Sequence, residues 1–162
     1  MRTPPYILSS LLAATALMSV GAHAQLDVSQ CVIREPAPGA TATALYLNLD
    51  YTVTEAVKGL RLPSPEGIVG AKLAALSDRV ELHTVIEKDG VMTMQQITRL
   101  RVDEGRTTLK PGGYHLMLTK LKRSIKAGET YPVTLMMTYQ ADPVCEAIVM
   151  TSAQIAALQE AK

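Results

Sequence analysis

Apolar and polar residues alternate along most of this chain with a period of two, which predicts β-strands. In residues 41–49, Leu45, Leu47 and Leu49 share one face of a predicted strand, and smaller or polar side chains take the other. Turn residues separate this run from others like it. The predicted strands lie at residues 26–35, 41–49, 68–74, 78–86, 91–97, 107–109, 114–119, 130–139 and 142–150. So many short strands predict an all-β fold, either a sandwich or a barrel.

Two segments depart from this alternation. Residues 51–67 fit a strand with an excursion and stay unassigned. Residues 151–162 have a helical composition and begin with two capping residues, Thr151 and Ser152. They predict a short C-terminal helix or a frayed tail.

Residues 1–24 have the pattern of a secretory signal peptide: Arg2, then an apolar run, then Ala-His-Ala just before Gln25. A retained membrane anchor is the alternative, but the apolar run is short for a span. We therefore expect cleavage before Gln25, no membrane anchor, and one mature domain over residues 25–162. Lipid attachment at Cys31 is not expected, because Asp-Val-Ser-Gln precedes it rather than a box of small residues.

Charge and cysteine content narrow the function. Arg2 is the only charged residue of the leader, and the rest of the chain has 15 basic and 15 acidic residues. Because the mature chain has no excess of positive charge, a nucleic-acid partner is not expected. The only two cysteines, Cys31 and Cys145, lie near opposite ends of the mature chain. In an exported protein such a pair predicts a structural disulfide between the first and last strands. A redox or thiolate metal site would need a closer spacing.

Two histidines of the mature chain each lie near methionine. His115 and Met117 are two residues apart in a predicted strand, so they share a face. His83 begins the hairpin that contains Met94. If residues 87–90 form the loop, His83 lies opposite Met94; if only residues 89–90 form it, His83 lies opposite Gln96 and Met94 is a diagonal neighbour.

Imidazole and thioether together form a soft, neutral ligand set, which suits Cu(I) and does not suit zinc, calcium or magnesium. The candidate ligands are His83 and His115 with one or two thioethers, where Met94 and Met92 share the face of His83 and Met117 shares that of His115. The competing interpretation is structural, because methionines on strands usually fill cores. No Ser or Cys lies in a catalytic motif, so we do not expect an enzyme.

The segments "VELHTVIEKDGVMTM" and "LKPGGYHLMLTKLK" resemble the periplasmic copper chaperones of the PCu(A)C family. Members carry a His, ten residues, a Met, about twenty-one residues and then His-x-Met; here the second interval is twenty residues. The resemblance implies a cupredoxin-like Greek-key β-sandwich in the periplasm that binds one Cu(I) at an exposed site. It also implies copper delivery to the CuA centre of cytochrome c oxidase, with subunit II or a Sco-type assembly factor as partner.

Two rival functions remain open at this stage. One is a periplasmic copper buffer used in resistance. The other is a structural β-sandwich without metal, in which His83 and His115 would lie far apart. We expect a monomer in either case.

Overall fold

The computed structural model describes residues 25–61 and 66–160. These residues form ten strands and two helices. The strands are β1 (Gln25–Arg34), β2 (Thr43–Thr52), β3 (Glu66–Lys72), β4 (Arg79–Lys88), β5 (Val91–Gln96), β6 (Leu100–Val102), β7 (Gly105–Leu109), β8 (His115–Thr119), β9 (Thr130–Met137) and β10 (Val144–Met150); the helices are α1 (Glu55–Gly59) and α2 (Ser152–Glu160).

The strands form one continuous hydrogen-bonded sheet in the order β5-β4-β8-β2-β1-β10-β9-β3-β6, and β7 also pairs with β2. The neighbours β1 and β10 are parallel, while the other pairs are antiparallel. The chain crosses between the two halves of this order, for example from β2 to β3, from β3 back to β4, and from β6 to β7. Such crossings are typical of Greek-key sandwiches, and the all-β prediction is confirmed.

A single apolar core joins the two halves of the sheet. Leu45 and Leu116 from one half and Ile68 and Leu135 from the other are fully buried in the same cluster. On β2 both faces are covered, since Leu45 points into this core and Tyr46 into a second, smaller cluster. That second cluster lies on the outer face and includes Ile155 of α2.

Helix α2 begins with a capping box. The N–H of Gln154 donates to Oγ1 of Thr151, and the side chain of Gln154 accepts from the N–H of Thr151. The predicted C-terminal helix is therefore confirmed, and Ile155 attaches it to the outer face of β1 and β2. No helix among the described residues is long and apolar enough to cross a membrane.

A β-bulge in β1 decides which way Cys31 points. The pairing with β2 shifts between Ser29 and Val32, and Gln30 has a φ of 51°. The shift inverts the alternation, so Cys31 faces the main core and Val32 faces outward. Cys31 is bonded to Cys145 of β10, with the Cα atoms 6.5 Å apart. The predicted disulfide between the first and last strands is confirmed.

Glu66 is a buried carboxylate, 2% exposed, where β3 begins. Its Oε1 accepts backbone N–H bonds from Gly67, Thr138 and Tyr139 at 2.7, 3.0 and 3.1 Å, and its Oε2 accepts one from Gln140 at 2.8 Å. The carboxylate thus holds the end of β9 and the turn after it against β3. Nothing in the local sequence pattern predicted this arrangement.

Several details differ from the sequence-based prediction. The unassigned residues 51–67 contain the end of β2, the short helix α1 and the start of β3, while residues 62–65 lie outside the described part. Strand β6 was not predicted, because three residues are too few for a periodic pattern. The predicted leader, residues 1–24, also lies outside the description.

Candidate metal site

His83 and His115 lie directly opposite each other on the neighbouring strands β4 and β8. Their ring centroids are 5.7 Å apart and the rings are tilted by 55°. His115 is 5% exposed and His83 is half-buried. The two histidines are 32 positions apart in the sequence, so the ladder between β4 and β8 brings them together.

The hairpin register is the one with a two-residue loop. His83 pairs with Gln96, and Val85 pairs with Met94. Asp89 and Gly90 form the loop with φ values of 52° and 77°, both in the left-handed region that a type I′ turn requires. Met94 is therefore on the same face as His83 and diagonal to it, and the alternative four-residue loop is wrong.

Met117 and Met94 lie on opposite sides of the histidine row. Met117 pairs with Glu81, two residues before His83, whereas Met94 pairs with Val85, two residues after it. On a flat ladder their Cα atoms are about 14 Å apart along the strands and about 10 Å across them. That separation is more than two methionine side chains span together. The described geometry thus groups Met117 with the histidines and leaves Met94 on an exposed hairpin, 55% exposed.

The tip of this hairpin is held by a single ladder. Strand β4 pairs with β8 only from Arg79 to His83, so residues 84–88 pair with β5 alone. Met92, 61% exposed, lies on the same face as Met94 and nearer the tip. Either thioether can approach the histidines only if the hairpin bends toward them.

Glu81 is a charged neighbour of His83 and was not among the predicted site residues. Its Oε2 lies 2.9 Å from Nε2 of His83, and its Oε1 lies 2.5 Å from Nε of Arg79. The hydrogen bond from His83, together with Arg79, holds the pKa of Glu81 below its usual value. The signal was present in the sequence, because Glu81 and His83 are two residues apart in a strand and share a face.

Each histidine has one ring nitrogen engaged in a hydrogen bond. Nδ1 of His115 lies 3.0 Å from the carbonyl oxygen of Gly113, an acceptor, so Nδ1 carries the proton. Burial lowers the pKa of His115 and favours its neutral form, whose Nε2 then has a lone pair. Nδ1 of His83 is buried and has no hydrogen-bond partner within the described structure.

Tyr46 closes the other side of His115, with ring centroids 6.4 Å apart. It also lines a groove of about 450 Å³ between α2 and the outer face of the sheet, together with Val32, Asn48 and Ile155. Tyr46 is therefore shared between the surroundings of His115 and this groove.

The donors present decide which metals fit. Within residues 25–61 and 66–160, no group of three or more His, Cys, Asp and Glu side chains is arranged to hold a metal ion. Met117, on the same face as both histidines, offers a thioether as a further donor. This donor set fits Cu(I), and it does not fit zinc or the oxygen-seeking cations.

Comparison with known proteins identifies the family. The family model described as "Putative lipoprotein LpqE-like" matches residues 26–143. A curated relative, "Putative lipoprotein Lxx21020" of Leifsonia xyli subsp. xyli (strain CTCB07), is 41% identical over 70 residues. The match spans 42% of this chain and 42% of that relative's length. Both cysteines of the present sequence are joined in the disulfide, so neither has a free thiol.

Solved structures with a similar fold include two copper-bound forms. The copper-bound PCuAC domain from PmoF2 has a TM-score of 0.59 at 19% identity, covering 80% of this chain and 98% of that one. The Cu(I) form of DR1885 from Deinococcus radiodurans has a TM-score of 0.55 at 25% identity, covering 84% and 86%. Its apo form has a TM-score of 0.53 at 28% identity, covering 93% and 96%.

These comparisons confirm the cupredoxin-like fold and the resemblance to PCuAC domains. The match to the family model covers well over half of the chain. The protein therefore belongs to the LpqE-like family and has the fold of the PCuAC domains.

Proposed function

We propose that this protein binds Cu(I) in the periplasm and carries it to an acceptor protein. The observation that carries the proposal is the pair formed by His83 and His115, whose rings lie 5.7 Å apart on adjacent strands. Nδ1 of His83 has no hydrogen-bond partner in the described structure. His115 carries its proton on Nδ1, so the lone pair of its Nε2 can bind a metal. The fold shared with copper-bound PCuAC domains supports the same conclusion.

The proposed ligands differ in how firmly the fold holds them. His83, His115 and Met117 lie on paired segments of β4 and β8, and they form a preorganised set. Met94 is the fourth ligand in this proposal and joins when the hairpin bends over the histidines. Met92 can replace it, because it lies on the same face. A set with one mobile thioether suits a carrier, since ligands have to exchange with those of the acceptor.

The acceptor we propose is the CuA centre of cytochrome c oxidase, reached through subunit II or a Sco-type assembly factor. The basis is the family resemblance, not the residues of this chain. Transfer would begin with docking at the exposed hairpin flank. Met94 would leave first, because it is the most exposed of the four ligands, and the acceptor's ligands would then replace the others in turn.

A titration with Cu(I) against a competing chelator tests the binding. We expect one Cu(I) per protein and weaker binding of Cu(II) at the same residues, because thioethers prefer the monovalent ion. His83→Ala and His115→Ala should bind most weakly. Met117→Leu should lose about tenfold in affinity or more, which corresponds to about 1.4 kcal/mol. Met94→Leu should lose less, because its ligand has to be brought in by the hairpin.

The controls separate loss of a ligand from loss of the fold. Met→Leu exchanges conserve volume and should change the free energy of unfolding by less than about 1.5 kcal/mol. Met136→Leu on β9, a half-buried methionine paired with Gly70, is a matched control away from the site. Equal Cu(I) affinity in wild type and in all four ligand variants would exclude this site.

Delivery needs a separate test, because a copper buffer would bind the metal equally well. At least two equivalents of loaded protein are mixed with an apo fragment containing a CuA site, the product is oxidised by one electron with ferricyanide, and transfer is measured by the absorption of the mixed-valence centre. Deletion of the gene should also lower oxidase activity when copper is scarce, and added copper should restore it. Unchanged oxidase activity combined with sensitivity to copper would favour the buffer instead.

A further inference from the structure

Each histidine of the candidate site has one nitrogen fixed by a hydrogen bond, but the fixed nitrogen differs between them. In His115 it is Nδ1, which lies 3.0 Å from the carbonyl oxygen of Gly113. In His83 it is Nε2, which lies 2.9 Å from Oε2 of Glu81. A carbonyl and an ionised carboxylate can only accept, so the proton in each case is on the ring nitrogen.

Glu81 is well placed to hold this arrangement. Its side chain is only 13% exposed, and both carboxylate oxygens are engaged, one by His83 and the other by Arg79. Since it pairs with Met117 across the ladder, it also lies on the site face. Glu81, His83 and His115 nevertheless do not form a three-donor metal group in the described structure, so Glu81 is not placed as a ligand.

We propose that Glu81 is a positioning residue that fixes the tautomer and ring orientation of His83, so that copper binds Nδ1 of His83 and Nε2 of His115. The unpartnered, buried Nδ1 of His83 is the atom this assignment explains, because such an atom is costly unless it gains a partner. A carboxylate that accepts from the second nitrogen of a ligating histidine also strengthens the ring as a donor. The proposal rests on the proposed Cu(I) binding at this site.

Nuclear magnetic resonance tests the assignment directly, because Cu(I) is diamagnetic. Two-bond ¹H–¹⁵N spectra show which ring nitrogen carries the proton and which one shifts on loading. In the free protein we expect the proton on Nε2 of His83 and on Nδ1 of His115. With Cu(I), only Nδ1 of His83 and Nε2 of His115 should show coordination shifts. Coordination through Nε2 of His83, with Glu81 displaced, would overturn the proposal while leaving Cu(I) binding intact.

Affinity measurements on Glu81 variants provide the second readout. Glu81→Leu removes the acceptor, and loss of such an outer partner costs roughly 10- to 100-fold in metal affinity. Glu81→Gln keeps an acceptor oxygen and should recover most of the loss. Glu87→Leu and Glu87→Gln are matched controls, because Glu87 is on the same strand and face but is exposed and nearer the hairpin tip. Both controls should bind Cu(I) as wild type does.

The outcomes separate this inference from the proposed function. Glu81→Leu with wild-type affinity would overturn the positioning role alone. Failure of the wild-type protein to bind Cu(I) would overturn the proposed function, and the copper assignment with it. Backbone amide spectra of Glu81→Leu that match wild type show that the variant is folded. If they do not match, the ring-nitrogen spectra of the wild-type protein decide: coordination shifts at Nδ1 of His83 support the role, and coordination shifts at its Nε2 contradict it.

Discussion

Glu66 shows how the tertiary structure turns a charged residue into part of the core. Its carboxylate is buried and accepts four backbone N–H bonds, three of them from the turn that follows β9. Carboxylates buried in this way are stable only because each lone pair finds a donor. Removal of the carboxylate takes an acceptor from all four donors, although the N–H of Thr138 also donates to the carbonyl oxygen of Gly67.

We expect Glu66→Ala to lower the free energy of unfolding by about 3 kcal/mol or more, because it removes four hydrogen bonds to a buried charged group. Glu66→Gln keeps one acceptor oxygen and should cost less. Urea unfolding followed by circular dichroism measures both. Glu87→Ala, an exposed position, should stay within about 0.5 kcal/mol of wild type. If Glu66→Ala changes the free energy of unfolding by no more than Glu87→Ala does, the role given to this carboxylate is contradicted.

His115 makes stability depend on pH in the weakly acidic range. Burial lowers its pKa in the folded protein below the usual value of 6.5. As the pH falls through 6.5, the unfolded chain takes up this proton before the folded one does, so the stability of the metal-free protein should fall. It should level off below the folded pKa of His115. His115→Gln should lack this part of the dependence when unfolding is measured between pH 8 and 5.

A second loss should follow at lower pH and should persist in His115→Gln. The pKa values of Glu81 and Glu129 lie below their usual 4.5 in the folded protein, chiefly because each accepts a side-chain hydrogen bond, from His83 and Tyr131 respectively. Their stabilisation is present above pH 4.5 and is lost as the pH falls through the folded values. Identical pH profiles for wild type and His115→Gln would contradict the assignment to His115.

At the scale of elements, the β4–β5 hairpin is the part of the site with the least support. Beyond His83 it is held by one ladder and by the turn at Asp89 and Gly90. Gly90 has a φ of 77°, and a Cβ there would meet nothing within 4 Å, so a substitution is opposed by backbone conformation alone. The hairpin can therefore be loosened without touching the core.

We expect Gly90→Val to loosen this hairpin, at a backbone cost of about 1–2 kcal/mol. Amide exchange should speed up in residues 84–95 and stay slow at Leu116. Cu(I) affinity should fall by no more than in Met94→Leu, because only the hairpin's ligand is affected. Gly39→Val is the matched control, with a similar φ of 79° and an equally open surrounding. Affinity lost equally in both variants would point to a general effect on the fold.

At the scale of the whole molecule, the disulfide joins two strands that are neighbours in space and 114 residues apart in sequence. Closing so long a loop restricts the unfolded chain strongly, and the loop-entropy model gives about 4 to 5 kcal/mol. Cys31 points into the core, whereas the histidines face outward beside Tyr46. The bond and the candidate metal site are therefore separate parts of the fold.

We expect replacement of both Cys31 and Cys145 by alanine to lower the free energy of unfolding by about 2 to 5 kcal/mol. Cu(I) affinity at a temperature where the variant is folded should not change. Thiol counting on unfolded, non-reduced wild type should find no free thiol. A loss of copper binding in the folded double variant would instead place the cysteines in the site.

The sequence by itself determined the strands other than β6, the C-terminal helix, the cysteine pair and the residue types of the candidate site. These depend on local periodicity and spacing, which the chain carries whatever its tertiary partners. The all-β class followed from alternation at positions such as Leu45 and Leu47, whose burial on one face the structure confirms. The ligand set of His83, Met94, His115 and Met117 stays a prediction.

Only the tertiary structure decided how the pieces meet. The sequence left two registers open for Met94, and the β4–β5 ladder selected one of them. Long-range pairing of β4 with β8 brought His83 to His115, and a bulge at Gln30 turned Cys31 inward. Burial of Glu66 depended on a turn more than 70 residues away. Local patterns cannot encode these contacts, because hydrogen bonds between distant strands form only when the whole sheet assembles.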